Sequence, residues 1–322
     1  MGILIRTTRI SFYIISVLIS TNRLFDYAIV KKWVCRITLF GSLYLFLQYL
    51  LYKSFGYILK GFVPFLSVYT SAYQDADYAL FYSTQFYRPT SFFLEPAHFC
   101  RYAIIGLTFF LFSSSVIDEK KNIFKALLTS LAIVLSTSGQ GLALMVIIWM
   151  LFLWSLAMKK SKKRSKTIGL IISVCILGFL YLCFFNSSVI ENTISRIFIN
   201  GSVASSGAVD ARLGTFVELF ERDFVKIIFG TGYGSVLYEN AWMSGITYVL
   251  CGTGIIGLLL IVSTIGFSYL RSREMSIKVV CIAFSFLFLT DDAFNSYMIV
   301  LYMSLMLYSR YYVEKQRRDV KE

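Results

Sequence analysis

Long stretches of this chain carry no charge at all. None falls between Lys125 and Lys159, between Lys166 and Glu191, or between Glu239 and Arg271. A helix needs about 20 mostly apolar residues to cross the hydrocarbon core of a bilayer. Inside that core each backbone polar group must be satisfied by the segment itself. The uncharged apolar runs therefore predict spanning helices near 34–52, 99–117, 123–138, 140–157, 167–185, 243–270, 275–290 and 293–311. Residues 8–30 read either as an extra span or as a helix lying in the interface, because 10–20 is apolar but short. The run 243–270 contains Gly252, Gly254 and Gly257 and is expected to tilt, bend or begin as an interfacial turn.

At 322 residues the chain could form two soluble domains, but its composition excludes them. Hydrophobic residues make up 57% and charged residues 15%, against roughly 45–50% and about 25% in soluble chains. The expectation is a single integral membrane domain over 1–322, all-α and polytopic, with about eight or nine transmembrane helices. The formal net charge of +13 invites a nucleic-acid reading, and its distribution argues against one. Alternating spans place five basic segments on one side. These are Lys31, Lys32 and Arg36; Lys120, Lys121 and Lys125; the cluster from Lys159 to Lys166; Arg271, Arg273 and Lys278; and Arg310, Lys315, Arg317, Arg318 and Lys321. That side holds 20 basic and 6 acidic residues, and the opposite side 8 and 11. The positive-inside rule puts the first set, and the C-terminus, in the cytoplasm. The Lys159 to Lys166 cluster then reads as a stop-transfer loop, and no nucleic-acid partner is expected. The six cysteines lie in or at the ends of apolar runs without a CxxC pair. They read as small hydrophobes, with neither disulfide nor metal site implied.

No charge sits in the middle of a clear span, so polar chemistry is expected on the outer side. Arg101, at a span end, is expected to snorkel. Two outer segments are long, 53–98 and 186–242, and rich in Phe, Tyr, Ile and Leu. Structureless loops of that length are uncommon, so both are expected to fold back on the membrane surface. The first ends in Tyr87-Arg88-Pro89-Thr90-Ser91-Phe92-Phe93-Leu94-Glu95-Pro96-Ala97-His98-Phe99. Pro96 suits the first turn of a helix, with Glu95 capping it. Glu95, His98 and Tyr102 then share one helical face. The plain reading is a capping Glu beside a packed interfacial His. The functional reading is a carboxylate–imidazole pair able to accept a proton.

The second segment has an amphipathic run. Leu213, Phe216, Val217, Phe220, Phe224, Ile227 and Ile228 follow helical spacing, with Glu218, Glu221, Arg222 and Lys226 opposite. It predicts an interfacial helix stopped by Gly230. Arg212 at its start opposes the helix dipole, which makes sense as an anion site; an Arg snorkelling to headgroups is the alternative. Gly230-Thr231-Gly232-Tyr233-Gly234 lacks the strand a nucleotide loop needs and reads as a tight turn. Residues 136–141 read as a short outer hairpin.

Together these residues resemble the O-antigen and capsular-polysaccharide polymerase family (Wzy-type), within the wider polymerase and ligase superfamily. The likeness rests on the stretch from Arg88 to His98, whose family form ends in Glu-Pro-Ser-His-Phe. It continues in the Ser-rich turn at 136–141, Arg212, Ile228-Phe229-Gly230-Thr231-Gly232, Asn240 and Gly254-Ile255-Ile256-Gly257. Ala97 stands where the family often has Ser, and family members often carry ten or more spans. The resemblance implies a metal-independent, cofactor-free inverting glycosyltransferase in the bacterial inner (plasma) membrane. It would join undecaprenyl-diphosphate-linked oligosaccharide repeat units at the outer face, with a chain-length regulator and a flippase as partners. On that reading Arg212 binds the diphosphate, and Arg88 is a second phosphate or sugar contact. Glu95 is favoured over His98 as the base, because a carboxylate is ionised at neutral pH without help. Tyr87, Arg196 and Asn240 are further sugar or phosphate contacts. The nearest rival is an O-antigen ligase acting on a lipid A core, and a net-acidic outer side disfavours an anionic acceptor. A transporter or flippase of polysaccharide intermediates is the rival of another class, and spans without charge disfavour it.

Overall fold

The computed structural model describes residues 2–19, 26–59, 87–93, 95–112, 119–158, 224–232, 244–290 and 298–319. Among them the regular structure is entirely helical: α1 (Gly2–Ile19), α2 (Tyr27–Phe55), α3 (Pro96–Phe112), α4 (Glu119–Leu135), α5 (Gly139–Ala157), α6 (Phe224–Phe229), α7 (Gly245–Arg271), α8 (Met275–Thr290) and α9 (Met298–Asp319). The expected span at 167–185, the Lys159 to Lys166 cluster and most of both long segments lie outside the described residues. Three helices, α2, α5 and α7, are long and apolar enough to cross a membrane. Ile10–Ile19, Pro96–Phe112, Met275–Thr290 and Met298–Tyr308 are shorter apolar helices.

Helix starts follow local side-chain chemistry. Asp26 Oδ1 accepts from the backbone N–H groups of Ala28 and Ile29 at 2.9 and 3.1 Å and so caps α2. Ser138 and Ser244 cap α5 and α7 in the same way. Pro96 is the first residue of α3, where its missing N–H leaves nothing unsatisfied. Within the apolar helices, hydroxyls turn back on the carbonyl four residues earlier. Ser42, Thr108, Ser130, Thr253 and Ser285 all do this at 2.8–2.9 Å.

The chain divides into two compact units, residues 34–206 and residues 1–33 with 207–322. In the first, α3 is the central helix and packs on α4 and α5. Its residues from Phe99 to Leu111 are buried except Tyr102. An apolar helix buried on every side is a core element. Small residues allow close approach: a side chain on Gly106 would strike Thr38 of α2, and one on Gly141 would strike Cys100. Trp149 Nε1 donates to Ser130 Oγ at 2.8 Å, joining α5 to α4. The outward faces are apolar as well. Leu43, Leu47 and Leu50 on α2, and Val146, Met150 and Trp154 on α5, repeat at helical spacing and are exposed. A soluble fold avoids such stripes, whereas a hydrocarbon solvent suits them.

In the second unit α7 packs on α6, α8 and α9, and α1 on α9. Tyr27 ties three chain segments at one end: its hydroxyl donates to Glu274 Oε2 at 2.7 Å, and its ring stacks on Tyr308 at 5.4 Å. The long α7 is broken at Gly254, where φ is +67° and ψ −168°. The segment after α6 fills the break. Thr231 N donates to Cys251 O at 2.7 Å and Gly232 N to Gly252 O at 3.0 Å. Thr231 Oγ1 adds a bond to Cys251 O at 3.0 Å. Residues 230–232 are thus docked on the unwound backbone of α7, and the rest of the expected turn, 233–234, lies outside the described residues. Freed carbonyls within an apolar helix demand such donors.

This docking makes specific predictions. A side chain on Gly254 would meet the Ile228 carbonyl, whereas one on Gly232 (φ +99°) meets open space. Gly232→Ala should bear only the left-handed backbone cost, about 1–3 kcal/mol. Gly254→Ala should bear that cost plus displacement of α6. Thermal unfolding in detergent should therefore give Gly254→Ala the lower midpoint of the two.

Candidate functional site

The site is assembled where the segment 87–99 meets the turn between α4 and α5, all within the unit 34–206. Tyr87 lies against Tyr52 of α2, ring centroids 4.6 Å apart. Arg88, half-buried, donates from Nε to Thr137 Oγ1 at 3.2 Å. A tight turn follows, closed by Phe93 N donating to Thr90 O at 3.2 Å.

Gln48 of α2 holds that turn. Its Oε1 accepts from Ser91 N at 2.8 Å, and its Nε2 donates to Ser91 O and to Leu59 O, both at 3.0 Å. Ser91 Oγ donates to Gly41 O at 2.8 Å. Gln48 and Ser91 are essentially inaccessible, so each bond replaces water that cannot enter. The carboxamide here acts as a strand would, offering one donor and one acceptor to a passing backbone. Phe92 and Phe93 close the surroundings with Phe40, Tyr44, Phe99 and Tyr102, at centroid separations of 4.8–6.4 Å.

Glu95 occupies the position before α3, and its carbonyl accepts the first helical bond, from Phe99 N at 3.2 Å. Glu95, His98 and Tyr102 are half-buried on the helix, as their spacing requires. Arg101 departs from expectation. It does not snorkel; it is 7% exposed. Because α3 begins at Pro96, Arg101 falls in its second turn, inside the packed unit.

The first turns of α3 and α5 touch. Cys100 Sγ lies 3.1 Å from Ser136 Oγ, and Gly141 packs directly on Cys100. Arg88 reaches the same turn through its bond to Thr137, and Arg101 is the residue next to Cys100. The N-terminal parts of two helices and the Arg88 guanidinium therefore meet at one end of the unit, with the buried Arg101 on the second turn of α3. Helix N-termini and arginines both favour negative charge, and Arg can grip a phosphate with two parallel bonds. The same segment carries a carboxylate, Glu95, and an imidazole, His98, residue types that serve as general bases. Among the described residues no three His, Cys, Asp or Glu side chains gather as a metal site would need.

Among the described residues two other than glycine have positive φ, Ser91 (+57°) and Thr137 (+55°). A β-branched residue at positive φ is an outlier, and such strain tends to cluster at functional sites. Both side chains are used: Thr137 Oγ1 donates to Ser136 O at 2.8 Å while accepting from Arg88.

Of the residues singled out from sequence, Tyr87, Arg88, Glu95 and His98 fall on this one segment. Arg196, Arg212 and Asn240 lie outside the described residues. Sequence reasoning missed Gln48, Ser91, Thr137 and the burial of Arg101. Gln48 carried a signal, as an amide in an otherwise apolar run.

Replacing Gln48 by Leu leaves the Ser91 N–H and carbonyl and the Leu59 carbonyl without that partner. Each buried unsatisfied group costs about 1–3 kcal/mol. Amide hydrogen exchange at Ser91–Phe93 should accelerate in this variant, while exchange within α8 stays unchanged. Equal protection in both proteins would contradict the clamp.

Comparison with known protein families, with characterised proteins and with solved structures finds no match to this chain.

Proposed function

We propose that this chain is a polysaccharide polymerase of the Wzy type. It joins lipid-diphosphate-linked oligosaccharide repeat units at the outer face of a bacterial plasma membrane. The observation that carries this reading is the bond of Arg88 to Thr137 at the start of α5, where α5 packs on α3, the helix at whose N-terminus Glu95 and His98 stand. It is the combination that glycosyl transfer from a diphosphate needs.

In the reaction, a hydroxyl of the acceptor sugar attacks the anomeric carbon of the donor. The new glycosidic C–O bond forms as the anomeric carbon–diphosphate bond breaks, with inversion. The hydroxyl proton passes to Glu95 or His98, with Glu95 favoured because it is ionised at neutral pH. The departing lipid diphosphate takes the bonding electrons, and fixed positive charge stabilises it. Arg88 supplies that charge here, with Arg212 as its expected counterpart from the second long segment. Tyr87, Arg196 and Asn240 are assigned to sugar and phosphate contacts. The donor is already activated, so the chemistry needs neither a nucleotide nor a metal.

The topology of eight or nine spans belongs to the same proposal. It gains support from Tyr27, Glu274 and Tyr308 meeting, since sequence assigns Lys31 and Lys32, just after Tyr27, and the neighbourhoods of Glu274 and Tyr308 to the cytoplasmic side. The turn at 136–138 is assigned to the opposite side, with the segment 87–99.

Purified protein given a lipid-diphosphate-linked repeat unit should produce a ladder of polymer lengths on a gel. Transfer only to an added lipid A core would instead select the ligase. Arg88→Ala and Arg212→Ala should each slow ladder formation by about 100-fold or more, the scale on which lost transition-state charge contacts are felt. Arg88→Lys should retain part of the activity, because the charge remains while the planar fork is lost. Normal ladders from Arg88→Ala protein in the membrane would remove this site from the mechanism.

A further inference from the structure

The α7–α8 hairpin encloses a second site, unrelated to the chemistry above. A cavity of about 550 Å³ lies between these helices. Its walls run along Val262, Gly266 and Leu270 of α7 and Cys281, Ser285 and Leu289 of α8. Eight helical steps from Val262 to Leu270 correspond to about 12 Å. The lining is apolar apart from the hydroxyls of Tyr269 and Ser285, and Ser285 Oγ donates within its own helix to Cys281 O at 2.9 Å.

One end of the groove is basic. The hairpin carries Arg271, Arg273 and Lys278 against a single carboxylate, Glu274. Glu274 is already engaged by the Tyr27 hydroxyl at 2.7 Å and the Ser276 hydroxyl at 3.2 Å. Lys278 Nζ sits 5.5 Å from the centroid of Tyr269, and Tyr269 lines the cavity. Arg271 lies 4.7 Å from the Phe267 ring. Lys278 is thus held by an aromatic face of the cavity lining, and Arg271 and Arg273 follow closely on Leu270, the last lining residue of α7. A long apolar groove ending in positive charge is complementary to one ligand class, an amphiphile with an acyl tail and an anionic head.

We propose that this groove binds an anionic phospholipid, one acyl chain lying between α7 and α8 and the headgroup phosphate on Arg271, Arg273 and Lys278. Basic pockets between membrane helices recognise acidic headgroups in this way. The site stands whether or not the chain is a polymerase.

Gly266 provides the test. It lines the groove, and a side chain there meets nothing within 4 Å, so Gly266→Leu fills the channel without a backbone clash. Native mass spectrometry of the full purified chain, with added phosphatidylglycerol or phosphatidylcholine, reads the outcome. The unaltered protein should retain phosphatidylglycerol in preference. Gly266→Leu should lose that retention while its thermal unfolding stays unchanged. Arg271→Gln and Lys278→Gln should each weaken phosphatidylglycerol binding about fivefold and leave the weaker phosphatidylcholine binding as it was. Equal retention of the two lipids overturns the proposal. So does undiminished retention by Gly266→Leu, or retention of neither lipid because a second copy of the chain fills the groove.

Discussion

A backbone polar group placed among apolar side chains must find a partner inside the protein, and this requirement governs most of what is unusual here. An unbroken helix meets it automatically. Among the described residues, two departures from regular helix in apolar settings are each matched by dedicated donors and acceptors. At the turn around Ser91, Gln48 supplies both, from 43 residues away in sequence. At the break in α7, the N–H groups of Thr231 and Gly232 take the carbonyls of Cys251 and Gly252. The two solutions differ in kind. One uses a side-chain amide that mimics backbone, and the other uses backbone itself, brought close by glycines whose lack of a side chain is essential.

The same requirement gives meaning to the polar groups that structure alone does not explain. Arg88 could be replaced at the Thr137 bond by an uncharged donor. Arg101 is 7% exposed, and burial of a guanidinium costs several kcal/mol unless charge and hydrogen bonds offset it. Two arginines at the N-terminal ends of two helices add positive charge where the dipoles are already positive. Such a concentration of positive charge suits a polyanionic group, which is why a diphosphate is the ligand proposed.

Much of the helix pattern was legible in the sequence. The runs at 140–157 and 275–290 coincide with α5 and α8, 34–52 falls inside the longer α2, which begins at Tyr27, and the Pro96 start of α3 follows from its ring chemistry. These features depend on composition and on neighbours within one turn. Long-range pairings were not legible. Nothing local links Gln48 to Ser91, or Arg88 to Thr137, and an arginine near a span end looks alike whether it faces lipid headgroups or, as Arg101 does, a packed core. The break in α7 was half legible. Glycines at 252, 254 and 257 announced a weak point, but glycine is common in membrane helices. Only the docking of 230–232 turns that weakness into a defined break.

The two left-handed residues of the site sharpen the functional argument. Glycine would relieve the backbone at both positions, as it does at Gly230, Gly232 and Gly254. Serine and threonine stand there instead, and each uses the hydroxyl that glycine lacks. Ser91 Oγ reaches Gly41 O, which fixes the turn on α2. Thr137 Oγ1 accepts from Arg88, which fixes the direction of the guanidinium. Backbone strain of about 1–3 kcal/mol per residue is thus retained in exchange for orientation. A fold selected for stability alone has no reason to make that exchange, whereas a charged group that must meet a leaving phosphate at a defined place does.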